Sequence, residues 1–115
     1  MSRVTQFMLN GAAFEPPSPS DPLDIHVLAI LNDGRVHHRH ALAAEVGANV
    51  RQVRASVSRV RALGWPIGFG SDGRGYRLTW ERAALEALLA KLRKQALAEL
   101  HVHNRLKRLL QRLAA

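Results

Sequence analysis

Arg51, Gln52, Arg54, Ser58, Arg59 and Arg61 crowd into one short stretch, and the chemistry they offer is recognition rather than catalysis. A guanidinium can donate two parallel hydrogen bonds to guanine or to a phosphate, and a glutamine amide can pair with adenine. Each good base contact of this kind discriminates by about 1–3 kcal/mol. Between these residues Val53, Val57 and Val60 recur at helical spacing and form one apolar stripe. A helix so built is held by one side and presents cations and amides from the others, as reading a nucleic-acid groove requires. Further on, Arg74 stands between Gly73 and Gly75, where no bulky neighbour blocks approach to a phosphate backbone or a minor groove.

The elements that must position these groups follow from the flanking residues. In Glu45-Val46-Gly47-Ala48-Asn49, Gly47 can take the positive φ that ends a helix, and Asn49 can cap the next one. The spacing predicts a first helix from about Asp21-Pro22, burying Leu23, Val27, Leu28, Ile30 and Leu31, and ending at Asn32-Asp33-Gly34. An extended piece, Arg35-Val36-His37, comes next. A second helix runs from about Arg39 to Val46 with Leu42 and Val46 inward, and a third from Val50 to Leu63. After Gly64 the period changes to alternation. Trp65, Ile67 and Phe69 precede the break Ser71-Asp72-Gly73-Arg74-Gly75, and Tyr76, Leu78 and Trp80 follow it, which is a β-hairpin signature. Pro66 and the glycines make its first strand an edge.

Residues 81–113 hold ten leucines and no glycine or proline. Leu85, Leu89, Leu92, Ala96, Leu106, Leu110 and Leu113 keep heptad spacing, with Glu99 and His103 in the same seam. One long helix with a polar middle and two helices bent near His101-Val102-His103-Asn104 both fit. So many leucines exceed what a small domain buries, which favours pairing with a second copy over packing back on the same chain. The cations of this block are a wet face or a DNA-lining one. A membrane-surface helix is disfavoured by the lack of Trp or Phe after Trp80. At the other end, Pro16-Pro17-Ser18-Pro19-Ser20-Asp21-Pro22 reads as an extended linker or a disordered, flexible arm.

Composition narrows the class. At 115 residues there is room for one domain and an appendage. The 17 Lys and Arg against 9 Asp and Glu give a net charge of +8, which favours a polyanionic partner. Residues 1–22 carry −1, 23–80 carry +4 and 81–115 carry +5, so the arm is not the basic part. The absence of cysteine excludes disulfides, thiolate zinc sites and cysteine nucleophiles. No apolar run approaches the roughly 20 residues that span a bilayer, and no signal-peptide layout is present, so a cytoplasmic location is expected.

The order Leu42-x-x-x-Val46-Gly47, then Val53, Val57 and Val60, then Leu63-Gly64, then Gly73-Arg74-Gly75-Tyr76-Arg77-Leu78 resembles the winged helix-turn-helix domain of the biotin operon repressor type. The resemblance covers residues 22–79. Asn49 stands where that family often has Ser or Thr, and caps equally well. Nothing resembles the ligase or ligand-binding domain that often follows such modules, so no small-molecule co-repressor is implied. The implied fold is mostly α (α+β): a three-helix core with a short β-hairpin wing. The expected organisation is an arm at 1–21, a DNA-binding domain at 22–80 and a helical dimerisation segment at 81–115.

By this resemblance and by geometry, the first turns of the third helix enter the major groove. Arg51, Gln52 and Arg54 are placed to read base edges, Val50 and Ala55 to meet a thymine methyl, and Ser58 lies beside them. Arg59 and Arg61 should favour phosphates. Asn49 offers its cap and the neighbouring N–H groups, His40 a phosphate contact, and Arg77 either a phosphate contact or a plain strand face. The plain alternative for the whole set is a solvated helix face. His37, His38 and His40, and His101 and His103, form no ligand set with a cysteine or a spaced carboxylate, so no metal is expected. Gly68-x-Gly70-x-x-Gly73 precedes a strand rather than opening a helix, and fails as a dinucleotide loop. The expectation is a non-enzymatic, cofactor-free, homodimeric DNA-binding transcription regulator, a repressor by promoter occupancy. The alternatives are a protein-interaction adaptor on a winged scaffold and a non-specific architectural or replication DNA binder.

Overall fold

The computed structural model describes residues 8–9, 12–13, 15–70 and 72–114. Most of the far N-terminal arm, together with Ser71 of the hairpin break, lies outside the described residues. Met8–Leu9 (β1) and Ala12–Ala13 (β2) pair antiparallel, Met8 opposite Ala13.

Helix α1 spans Pro22–Leu31. Asp21 caps it, its carboxylate accepting the Leu23 N–H at 2.8 Å, and Pro22 occupies the first turn where its missing N–H costs nothing. Helix α2 spans Arg39–Val46 and ends on Gly47 at φ 68°, a conformation an L side chain rarely adopts. His38 caps its start through Nδ1. Helix α3 spans Val50–Ala62. Its N-terminus is a reciprocal capping box, in which Asn49 accepts the Gln52 N–H at 2.8 Å and Gln52 accepts the Asn49 N–H at 2.9 Å.

The sheet has three strands rather than the two of a bare hairpin. Gly75–Leu78 (β5) is central, flanked by Ile67–Phe69 (β4) and by the short strand His37–His38 (β3). Ile67 faces Leu78 and Phe69 faces Tyr76, while His37 pairs with Tyr76 and His38 with Gly75. The extended piece after α1 therefore ties the wing to the entrance of α2. Gly75 is required there, because a Cβ would stand 2.7 Å from the His37 carbonyl oxygen. Pro66 and the short β4 lie at the edge, as their composition predicts.

Val27, Leu31, Leu42, Val53, Val57, Val60, Ile67 and Leu78 form one buried core, joined by Trp65 and Tyr76. The proline-rich segment is not a free arm over its described part. Pro16 and Pro19 are buried, and the Trp65 indole N–H donates to the Pro17 carbonyl at 2.8 Å. The apolar Trp65 ring and its indole N–H donor at the α3–β4 junction hold the arm against the core through the Pro17 carbonyl.

Arg82–Ala114 is one uninterrupted helix, α4. At 1.5 Å per residue it extends about 50 Å, longer than the core it leaves. Leu88 is buried and Leu85 and Leu92 are half-buried; from residue 93 to 114 every described residue is exposed. No described helix is long and apolar enough to cross a membrane.

Candidate nucleic-acid interface

Burial of Val53, Ser56, Val57 and Val60 fixes the rotation of α3 and leaves Arg51, Gln52, Arg54, Ala55, Ser58 and Arg59 exposed. Val50 is half-buried against the core. The cations of this face then separate into two groups by what their guanidiniums touch.

Arg59 is engaged. Its Nε and Nη2 donate to the two oxygens of Asp24 on α1 at 2.9 and 2.8 Å, and the Ser56 hydroxyl donates to the same carboxylate at 2.6 Å. The Arg59 hydrogen bonds, and then the Ser56 bond and the Arg59 charge, hold the Asp24 carboxyl below its usual value against the opposing effect of burial. Arg59 is thus a strut between α1 and α3, not the free phosphate ligand its sequence position suggests. Asp24 shares the helical stripe of Val27 and Leu31, but nothing in the sequence pairs it with Arg59.

Arg61 is also engaged. Its Nε donates to the Ile67 carbonyl and its guanidinium lies 4.6 Å from the Phe69 ring centre. Burial lowers its pKa from the usual value, partly offset by Tyr76. On the wing, Arg77 donates from Nε to the Gly34 carbonyl at 2.9 Å and approaches Glu81 at 3.8 Å. It braces β5 against the end of α1 rather than reaching outward. Gln52 keeps its amide NH2 free, while its carbonyl accepts the Asn49 N–H in the capping box, so one lone pair of that oxygen is already used when the side chain meets a base.

Arg51, Arg54 and Arg74 remain. Their guanidiniums form no hydrogen bond or ion pair with any described residue, and all three are exposed. The tip that carries Arg74 is shaped by bonds from Gly70 N–H to the Gly75 carbonyl and from Arg74 N–H to the Asp72 carboxylate. His40 is exposed and stacked 5.5 Å from His38 at the start of α2. Asn49 serves as the cap. Among the described residues no group of three His, Cys, Asp or Glu could hold a metal ion.

One side of α3 is walled by α4. Arg54, Ser58 and Arg61 face Gln95, Ala98 and Glu99 across a cleft of about 630 Å³ floored by Phe69 and Tyr76. Lys91 sits 3.7 Å over the Phe69 ring, so that ring is held by a cation from α3 and another from α4. The sequence marks Glu99 as a polar residue of the seam and Lys91 as one of the block's cations, but not their place beside α3 and Phe69, because nothing in a heptad pattern says which strand the helix will cross. No family matches the chain, and no curated protein is similar to it.

Proposed function

We propose that this protein binds double-stranded DNA through α3 and the β4–β5 wing and regulates transcription, as a repressor occupying an inverted repeat in the form of a homodimer. The observation that carries this reading is the set of exposed guanidiniums of Arg51, Arg54 and Arg74, unpaired among the described residues, on a helix and a glycine tip that the same small core carries. A helix-turn-helix with a wing offers that set to a major groove and its flanking backbone. The net charge of +8 supports a polyanionic partner. The resemblance to winged domains of the biotin operon repressor type supports the same assignment.

Arg51 and Arg54 are assigned to base edges and Arg74 to backbone or minor groove. Arg59, Arg61 and Arg77 instead fix the frame that aims them. Titration of a random duplex at two salt concentrations tests the reading, since each neutralised phosphate releases counterions and affinity must fall steeply as salt rises. Weak, salt-insensitive binding would instead favour an interaction adaptor. Selection from a random duplex pool should return an inverted repeat. Against it, Arg51→Ala and Arg54→Ala should relax preference at single positions, each by about 1–3 kcal/mol, while Arg74→Ala weakens all sequences alike.

A further inference from the structure

The seam of α4 runs Leu85, Leu89, Leu92, Ala96, Glu99, His103, Leu106, Leu110, Leu113, alternating steps of four and three as residues lining a two-helix coiled coil do. Only its beginning meets the core, where Leu85 and Leu92 are half-buried. Leu89, Leu106, Leu110 and Leu113 leave 65%, 60%, 67% and 76% of their surface exposed. The polar pair in the middle decides what can cover them.

Two parallel copies in register would set Glu99 against Glu99, His103 against His103 and Ala96 against Ala96, giving two like-with-like polar layers and a void. Two antiparallel copies related by an axis at His101 match every layer from Leu89 to Leu113, leaving Leu85 to its own core. Glu99 then meets His103 of the second copy, Ala96 meets Leu106, Leu92 meets Leu110 and Leu89 meets Leu113. Leu100 and Val102, both about half exposed, flank the centre and each meets its own counterpart. The one like-charge approach, Arg93 to Lys107, falls on the outer edge in water, where it costs little. Glu99 also lines the cleft that holds Arg54 and Arg61, so it stands between cations of its own chain and the imidazole of the other.

We infer that a second copy of this chain covers the leucine face of α4 in an antiparallel coiled coil, with Glu99 of each copy paired to His103 of the other. This rests on the homodimer proposed above and adds its direction and register. The seam is self-complementary in one orientation only, and its interruption by charge is what makes it so.

The chain has no cysteine, so introduced thiols are unique. Leu89→Cys mixed with Leu113→Cys should give a mixed disulfide under mild oxidation, while each variant alone gives little. In sedimentation, Glu99→Lys should raise the dimer dissociation constant about tenfold, and adding His103→Glu to the same chain should restore it. Disulfides within each variant alone, or failure of the double exchange to restore pairing, would overturn the antiparallel register and leave the dimer standing. A wild-type chain that sediments as a monomer at the cross-linking concentration would overturn both. Neither result bears on DNA binding, which the salt titration reads separately.

Discussion

Leucine has opposite fates at the two ends of this molecule. Leu31 and Leu42 have no exposed surface, whereas Leu110 and Leu113 leave most of theirs in water. Side-chain chemistry is the same in both places, and so is the helical backbone. What differs is the supply of partners. Three short helices and a sheet converge on Leu31 and Leu42, while α4 outruns the core after Leu92 and, among the described residues, buries none of its side chains beyond that point. The arginines repeat the lesson. Arg59 and Arg51 sit two turns apart on one helix, yet only Arg59 has a carboxylate facing it from α1. Sequence position sets which face a residue occupies; neighbours set whether that face is framework or contact surface.

The sharpest way to break this comparison is a matched pair of truncations. Leu42→Ala should lower the unfolding free energy by about 3 kcal/mol, through lost transfer energy and the cavity left behind. Leu110→Ala, measured by urea denaturation at a concentration where the chain is monomeric, should change it by less than about 0.5 kcal/mol and act only on self-association. Equal losses would mean that α4 folds back onto the core in solution.

Next in size is the α1–α3 strut. Asp24→Ala leaves the buried Ser56 hydroxyl without its acceptor and should cost about 2 kcal/mol at neutral pH. Because the folded carboxyl lies below its ordinary 3.8, the stability it confers is present above that value. It drains away as pH falls from about 4 through the lower folded value. Urea midpoints at pH 6 and pH 3 should therefore converge between wild type and Asp24→Asn at the acid end. A gap that stays constant would deny the carboxylate its role. Arg59→Ala should likewise act on stability first, with its effect on DNA affinity secondary.

The smallest effect tests where α4 leaves the core. Lys91→Ala removes the cation over Phe69 and should destabilise the folded chain by less than about 1 kcal/mol. Lys107→Ala, on the overhang, should leave unfolding unchanged. Thermal melts of the two variants side by side would show whether the junction at Phe69 contributes to fold stability.

The sequence alone determined the local elements, because each carries its own instruction. Asp21-Pro22 starts α1, Gly47 stops α2, Asn49 and Gln52 cap α3, and the alternation around Gly73 to Gly75 makes the wing. These signals act over a few residues, where backbone geometry and capping leave little choice. It did not choose between one helix and two after residue 81; a strong leucine and alanine run with no breaker folds as one, even with His101 and His103 in it. Only the tertiary structure decided that Asp24 turns inward to meet Arg59, that β3 adds to the wing, that Trp65 draws Pro17 onto the core and that Lys91 crosses Phe69. Those pairs are separated by long stretches of chain, and their formation depends on how the helices pack. A single guanidinium looks the same in sequence whether or not a carboxylate is waiting across the core, so which arginines stay free was settled in three dimensions.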